Sequence, residues 1–163
     1  MEISIIKATD KDIPSILDLL YELDRPIPID KEIKVFKNKI KGYFSDSQKT
    51  ILLAKQDSKI VGLVSIIFLN RLNRAKLEMY IPELIVTKQL RNFGIGKKLI
   101  QHCIDLAKKK RCYRIRLESG NQRKESHKFY KNIGFEQSAL SFTKQILLLK
   151  EKSTKSFLND YEA

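Results

Sequence analysis

Apolar positions recur along this chain in two periods, and the places where the period changes predict the elements. Residues 2–7 read as a first strand. Ile13, Ile16, Leu17, Leu20 and Leu23 then fall at helical spacing, predicting a helix from near Asp12 with Thr9 or Asp10 as cap and Pro14 in its first turn. Arg25-Pro26-Ile27-Pro28 breaks it, and from about Asp30 a second amphipathic helix places Ile33, Phe36, Ile40, Tyr43 and Phe44 on one side. Residues 50–55 and 59–70 predict two strands joined at Gln56-Asp57-Ser58. Residues 77–87 predict another, carrying Pro82. Proline cannot donate to a ladder, so this strand is bulged or locally unpaired there, or lies at an edge. Residues 94–110 form the main helix. Tyr113, Ile115 and Leu117 then alternate with Arg114, Arg116 and Glu118 as in a half-buried strand. Residues 123–132 give a last helix ended by Gly134, residues 135–149 one or two closing strands, and residues 151–163 a polar tail.

Composition narrows the class. At 163 residues and 42% hydrophobic content the chain suits one domain with a sizeable core, expected over residues 1–150. The start lacks the basic and long apolar regions of a signal peptide, and the run from Ile60 to Leu69 is too short to span a bilayer, so a cytoplasmic protein is expected. Cys103 lies on the stripe of Ile95, Leu99 and Leu106, which reads as burial, and Cys112 opens a strand. Neither belongs to a metal-type cluster, and no metal is expected. The net charge of +13 with a pI near 9.7 makes an anionic partner a legitimate hypothesis. The cations are spread over solvated faces, apart from Lys108-Lys109-Lys110-Arg111 at a helix end, and no zinc-finger, KH or RRM pattern is present. A nucleic-acid-binding module is therefore the weakest reading.

The richest stretch is residues 83–100, where an apolar strand passes through Arg91-Asn92-Phe93-Gly94-Ile95-Gly96 into an amphipathic helix. Glycine lets backbone approach a ligand, and the N–H groups and dipole of a helix N-terminus favour an anion, so this loop can cradle a pyrophosphate. It has no third glycine in register for the dinucleotide fingerprint, and Gly96-Lys97 is followed by Lys98 where a P-loop needs Ser or Thr. An ordinary strand-to-helix turn is the plainer alternative.

Arg91-x-x-Gly94-x-Gly96, followed by Ser126-His127-Lys128-Phe129-Tyr130 and Gly134-Phe135, resembles the GNAT superfamily of N-acetyltransferases. The resemblance spans roughly residues 1–150. It implies an α/β (α+β in some schemes) fold: a mixed, mostly antiparallel sheet of six to seven strands, about four flanking helices and a splayed central strand pair that admits the pantetheine arm. It also implies an enzyme that moves the acetyl group of acetyl-CoA directly to a primary amine of a small molecule. The alternatives are a peptide or protein N-acetyltransferase and a noncatalytic coenzyme A-binding regulator. The backbone of Ile85 and Val86 would pair with pantetheine, and Arg91, Asn92, Phe93, Gly94, Ile95, Gly96 and Lys97 would hold the pyrophosphate. Family members often dimerise, so a homodimer is possible.

Transfer needs a base, because a lysine-like ammonium has a pKa of about 10.4. Glu83 is the first candidate, directly or through water; Glu78 and His127 are others, and each of these residues could instead be an ordinary paired side chain. Tyr130 matches the family tyrosine that protonates or hydrogen-bonds the coenzyme sulfur. Asn121 is a departure from pattern: Arg123 stands where many members have the asparagine that precedes a small residue by three, so contact between Asn121 and the coenzyme is in question. The last helix and Ser141-Phe142-Thr143-Lys144 are similar to aminoalkylphosphonate and aminoglycoside-like small-amine acetyltransferases, and an anionic acceptor would suit the positive charge.

Overall fold

A computed structural model describes residues 2–23 and 30–146. The expected break at residues 25–28 and the tail at 151–163 lie outside them. The chain opens with β1 (Ser4–Lys7), whose exit is fixed by Asp12: its carboxylate accepts from the backbone N–H of Thr9 at 2.8 Å and from the Thr9 hydroxyl at 3.0 Å. A 3-10 turn over Asp10–Asp12 leads into α1 (Ile13–Tyr21), with Pro14 in the first turn, where a missing N–H costs nothing. Helix α2 (Asp30–Ser45) lies beside it.

The hairpin of β2 (Lys49–Gln56) and β3 (Lys59–Leu69) turns at Asp57, whose φ of 52° is the left-handed conformation that Asp tolerates in a tight turn. After it come β4 (Glu78–Ile81), β5 (Leu84–Val86), α3 (Ile95–Lys109), β6 (Arg114–Leu117) and α4 (Lys124–Asn132), with Gly134 left-handed past the end of α4. The six-stranded sheet runs β1-β2-β3-β4-β6, antiparallel except for the parallel β4–β6 pair, while β5 pairs with β3.

Two cores lie on opposite faces of the sheet. Val64, Ile66, Phe68, Met79 and Ile81 pack with Ile95, Leu99, Ile100 and Cys103 of α3. On the other face, Ile51, Leu53, Leu63 and Ile85 pack with Ile13, Ile16 and Leu17 of α1 and Ile40 of α2. This is the expected α/β architecture.

The predicted strand over residues 77–87 is two strands, and Pro82 is the reason. From the Val64↔Leu84 pair to the Ile67↔Tyr80 pair, β3 advances three residues while the opposite chain covers four. The extra residue is a bulge in mid-sheet, so the edge alternative for Pro82 does not hold. The last β4–β6 pair is Ile81↔Leu117, and beyond it β5 follows β3 alone. The sheet therefore splays between β5 and the end of β6, as expected.

The closing strands expected over residues 135–149 are a correction as far as residue 146: Phe135 to Ile146 carry no strand. Apolar residues in a segment do not by themselves supply a partner strand. Leu140, Phe142 and Ile146 are exposed, and the hydroxyl of Ser141 reaches Glu118 only at 3.4 Å. Residues 147–149 lie outside the described residues.

Candidate active site

The bulge organises a pocket. Freed from the ladder, the backbone N–H of Glu83 donates to the Ser65 hydroxyl at 3.0 Å, that hydroxyl donates to the Glu83 carboxylate, and the Glu83 carbonyl accepts from the N–H of Ser65 at 3.0 Å. Strand alternation turns Glu83 and Ile85 toward α1 and α2, and Leu84 and Val86 toward α3. Glu83, Ser65 and Tyr43 thus line a cavity of about 270 Å³, whose other walls are Ile16, Leu17, Leu20 and Tyr21 of α1, Phe36, Lys39 and Ile40 of α2, and Ile51 and Leu63 of the sheet. Burial raises the pKa of the Tyr43 phenol, and the charge of Glu83 adds to this, while a hydrogen bond with Ser65 opposes it.

The second part lies where β5 ends. Thr87 N–H bonds to the Val61 carbonyl and Ser65 N–H to the Glu83 carbonyl, so residues 83, 85 and 87 direct their backbone groups at β3. The intervening Leu84 and Val86 direct theirs into the splay. This corrects the expectation for Ile85, whose N–H and C=O face Leu63; the backbone groups of Val86 and of Leu84 are the ones directed outward, and alternation alone did not reveal Leu84. Ser119, two residues past the last β4–β6 pair, has a buried hydroxyl with no partner among the described residues, so a polar ligand in the gap would satisfy it.

Residues 91–97 join this gap to α3. Asn92 at φ 68° and Gly94 at φ 80° are both left-handed, which turns successive N–H groups toward one side. Among the described residues no backbone carbonyl accepts a turn, loop or cap hydrogen bond from the N–H groups of 91–97; the first such bond of the helix is Lys98 N–H to the Gly94 carbonyl at 3.0 Å. A Cβ at Gly94 would touch nothing within 4 Å, so the loop is open above it. These features fit a pyrophosphate. The Arg91 side chain instead turns back, its Nε donating to the Val86 carbonyl at 3.1 Å, and ties the loop to the strand end.

Helix α4 closes this region. A Cβ at Gly96 would stand 3.3 Å from Phe129 Cζ and 3.8 Å from Val86 Cγ2, so Gly96, Phe129 and Val86 meet at one point. Tyr130 stacks edge-on between Phe129 and Phe135, with ring centroids at 5.2 and 5.8 Å. Burial raises its phenol pKa above the usual 10, against the pull of the Arg123 charge, so it is a protonated donor at neutral pH. Asn121 is exposed in the turn before α4.

The remaining candidates are engaged elsewhere. His127 Nε2 donates to the Gly120 carbonyl at 2.9 Å, fastening α4 to the turn that precedes it. Glu78 is fully buried. Burial alone would raise its pKa, but hydrogen bonds from Arg116, Arg71, Arg114 and Tyr113 outweigh this and hold it at about 2, too low for a base near neutrality. Burial pushes the Cys103 thiol up to about 12, which makes it inert. Sequence reading missed Glu22: its carboxylate accepts from the Thr87 hydroxyl at 2.9 Å and from Lys88 N–H at 2.8 Å, anchoring the loop to the end of α1. Those partners are 65 and 66 residues away, and no local signal marks them.

With this geometry in view, residues 16–135 match the model of the acetyltransferase (GNAT) family. The chain belongs to the GNAT family. The chain is 26% identical over 139 residues to an aminoalkylphosphonate N-acetyltransferase of Salmonella typhimurium, covering 85% of this chain and 88% of that one. Among solved structures, a transcriptional regulator from Bacillus halodurans superposes with a TM-score of 0.80 at 22% identity, over 89% of this chain and all (100%) of that one. AAC(6')-Iy, solved in complex with the bisubstrate analogue CoA-S-monomethyl-acetylneamine, superposes with a TM-score of 0.75 at 16% identity, over 90% of this chain and 100% of that one. At such identities the two structures establish the fold. Family membership makes the chain an acyltransferase of a family that uses acetyl-CoA. No helix among the described residues is long and apolar enough to cross a membrane.

Proposed function

We propose that this GNAT enzyme transfers the acetyl group of acetyl-CoA directly to a primary amine of a small molecule. The observation that carries this is the break at Pro82. One irregularity opens the sheet beside the anion-receptive loop and turns Glu83 into a pocket on the other face. Coenzyme and acceptor can thus approach one point from opposite sides, as direct transfer requires. The curated relative's name, an N-acetyltransferase of aminoalkylphosphonates, supports a small amine over a peptide.

When bound, acetyl-CoA supplies the thioester. Leu84 and Val86 offer outward backbone groups to its pantetheine arm, the N–H groups of 92–97 face its pyrophosphate, and a Val86 N–H donor is placed to stabilise charge developing on the carbonyl oxygen. Glu83 takes the proton of the amine, directly or through water, as the carbon–nitrogen bond forms. Tyr130 gives its phenolic proton to the departing sulfur as the carbon–sulfur bond breaks, and the proton returns through solvent.

The test is release of free thiol from acetyl-CoA in the presence of a mixed panel of primary amines, for the native enzyme and for Glu83→Gln. Glutamine keeps the shape and the hydrogen bond with Ser65 but cannot take a proton. Turnover is expected to fall by about 10²-fold or more with coenzyme affinity retained. Unchanged turnover would remove Glu83 from its role, and no amine-dependent thiol release would refute the transfer reading.

A further inference from the structure

We infer that Ser65 is a positioning residue of the reaction, its hydroxyl holding the Glu83 carboxylate in one orientation at the bulge. This rests on the reading of Glu83 as the base. Ser65 is an anomaly in its strand. It stands in β3 between Val64 and Ile66, both fully buried, and is itself only 4% exposed, although a hydroxyl buried among apolar side chains costs stability unless it is bonded. Ile51 faces it from β2 with a side chain that offers no partner. Two of the hydroxyl's bonds run to one residue: it accepts from the backbone N–H of Glu83 at 3.0 Å and donates to the Glu83 carboxylate.

The bulge creates this arrangement. In a regular antiparallel ladder, a hydrogen-bonded pair of facing residues exchanges N–H to C=O bonds in both directions. Here Ser65 N–H donates to the Glu83 carbonyl at 3.0 Å, but the return bond from Glu83 N–H goes to the Ser65 hydroxyl. A serine oxygen carries one proton and two lone pairs, so with the N–H on a lone pair its proton is aimed at the carboxylate. The carboxylate is thereby tied to the strand opposite its own backbone, and the torsions that let a glutamate side chain swing are confined. A base held in one place is what direct transfer needs, because a displacement of about 1 Å costs on the order of 10²-fold in rate. Alanine at position 65 would release the carboxylate and would also take a bond from the Glu83 N–H. The role of the hydroxyl must therefore be read through Glu83 itself.

The experiment is a double-mutant cycle between Ser65→Ala and Glu83→Gln in the full chain. The assay is free-thiol release from acetyl-CoA with the panel of primary amines, and coenzyme A affinity by calorimetry is the control. Alone, Ser65→Ala is expected to lower kcat about tenfold and to leave coenzyme A affinity within about twofold. Added to Glu83→Gln, which takes no proton, it should change kcat by less than about twofold, because the step it serves is already lost. Ser65→Thr and Ser65→Val separate the hydroxyl from the shape, since the two new side chains are isosteric, suit a strand and can place their extra bulk in the cavity. Ser65→Thr is expected to keep most of the native rate and Ser65→Val to fall with Ser65→Ala. An equal loss from Ser65→Ala in the two backgrounds, or equal rates for Ser65→Thr and Ser65→Val, would overturn the inference while leaving Glu83 as the base. A native rate in Glu83→Gln would instead remove the base reading and the inference with it.

Discussion

Replacing Glu78 by glutamine probes what holds the closed end of the splayed sheet. The Glu78 carboxylate receives Arg71 at 3.1 Å from the β3–β4 connection, Arg114 at 2.6 Å and Arg116 at 3.0 Å from β6, and the Tyr113 hydroxyl at 2.8 Å. Glutamine preserves the shape and removes the charge, leaving three guanidinium groups around a neutral side chain. The magnitude follows from linkage. Burial opposes ionisation, but the four donors overcome it and lower the pKa from an ordinary 4.5 to about 2, a shift worth about 3 kcal/mol of stability. The folded pKa is the lower one, so this contribution is complete above pH 4.5 and lost as pH falls toward 2. Denaturant unfolding should therefore place Glu78→Gln about 3 kcal/mol below the native protein at pH 7 and only about 1 kcal/mol below it at pH 3. The three arginine side chains are 30–44% exposed, so salt should trim the pH 7 difference modestly. A difference that is absent at pH 7, or equal at the two pH values, would refute this account of Glu78.

Three further outcomes are expected. Gly94→Glu should abolish coenzyme A binding by calorimetry, because it sets a carboxylate on the open side of the loop at φ 80°, whereas Gly94→Ala shares the backbone strain of about 1 kcal/mol and should retain measurable affinity. Tyr130→Phe should leave the melting temperature and coenzyme affinity nearly unchanged and lower kcat by about 10²-fold; because burial raises the phenol pKa, native activity attributable to this donor should persist until pH rises above 10. Glu22→Ala, which loses the bonds to the Thr87 hydroxyl and Lys88 N–H, should cost about 1 kcal/mol in thermal unfolding and weaken coenzyme binding several-fold in the same assay.

What could be read from the chain alone depended on how local its cause was. The stripes of α1, α2 and α3 and the hairpin at Asp57 follow from residues within a few positions of one another, and they stand where the periodicity puts them. Pro82 announced a bulge because its missing N–H is a local fact. Which residues then faced the splay required the register with β3, and so Ile85 was expected beside Val86 where Leu84 is the outward-facing neighbour. Glu83 and Glu78 looked alike in sequence as carboxylates on one strand. They are separated by their neighbours: Ser65 and Tyr43 around the first, three arginines brought from β6 and the β3–β4 connection around the second. One or two closing strands were expected over residues 135–149, and a strand needs a paired edge that a sequence cannot supply by itself; Leu140 and Phe142 stand exposed.

The central claim, that one break in the sheet receives acetyl-CoA along β5 and at the loop before α3, is tested most directly by following backbone amide resonances during titration with the coenzyme. The amides of Leu84, Val86 and residues 92–97, which point into the splay or lack an internal acceptor, are expected to shift most, with Ile85, paired to Leu63, moving less. Saturable binding that leaves residues 84, 86 and 92–97 unmoved would contradict the account.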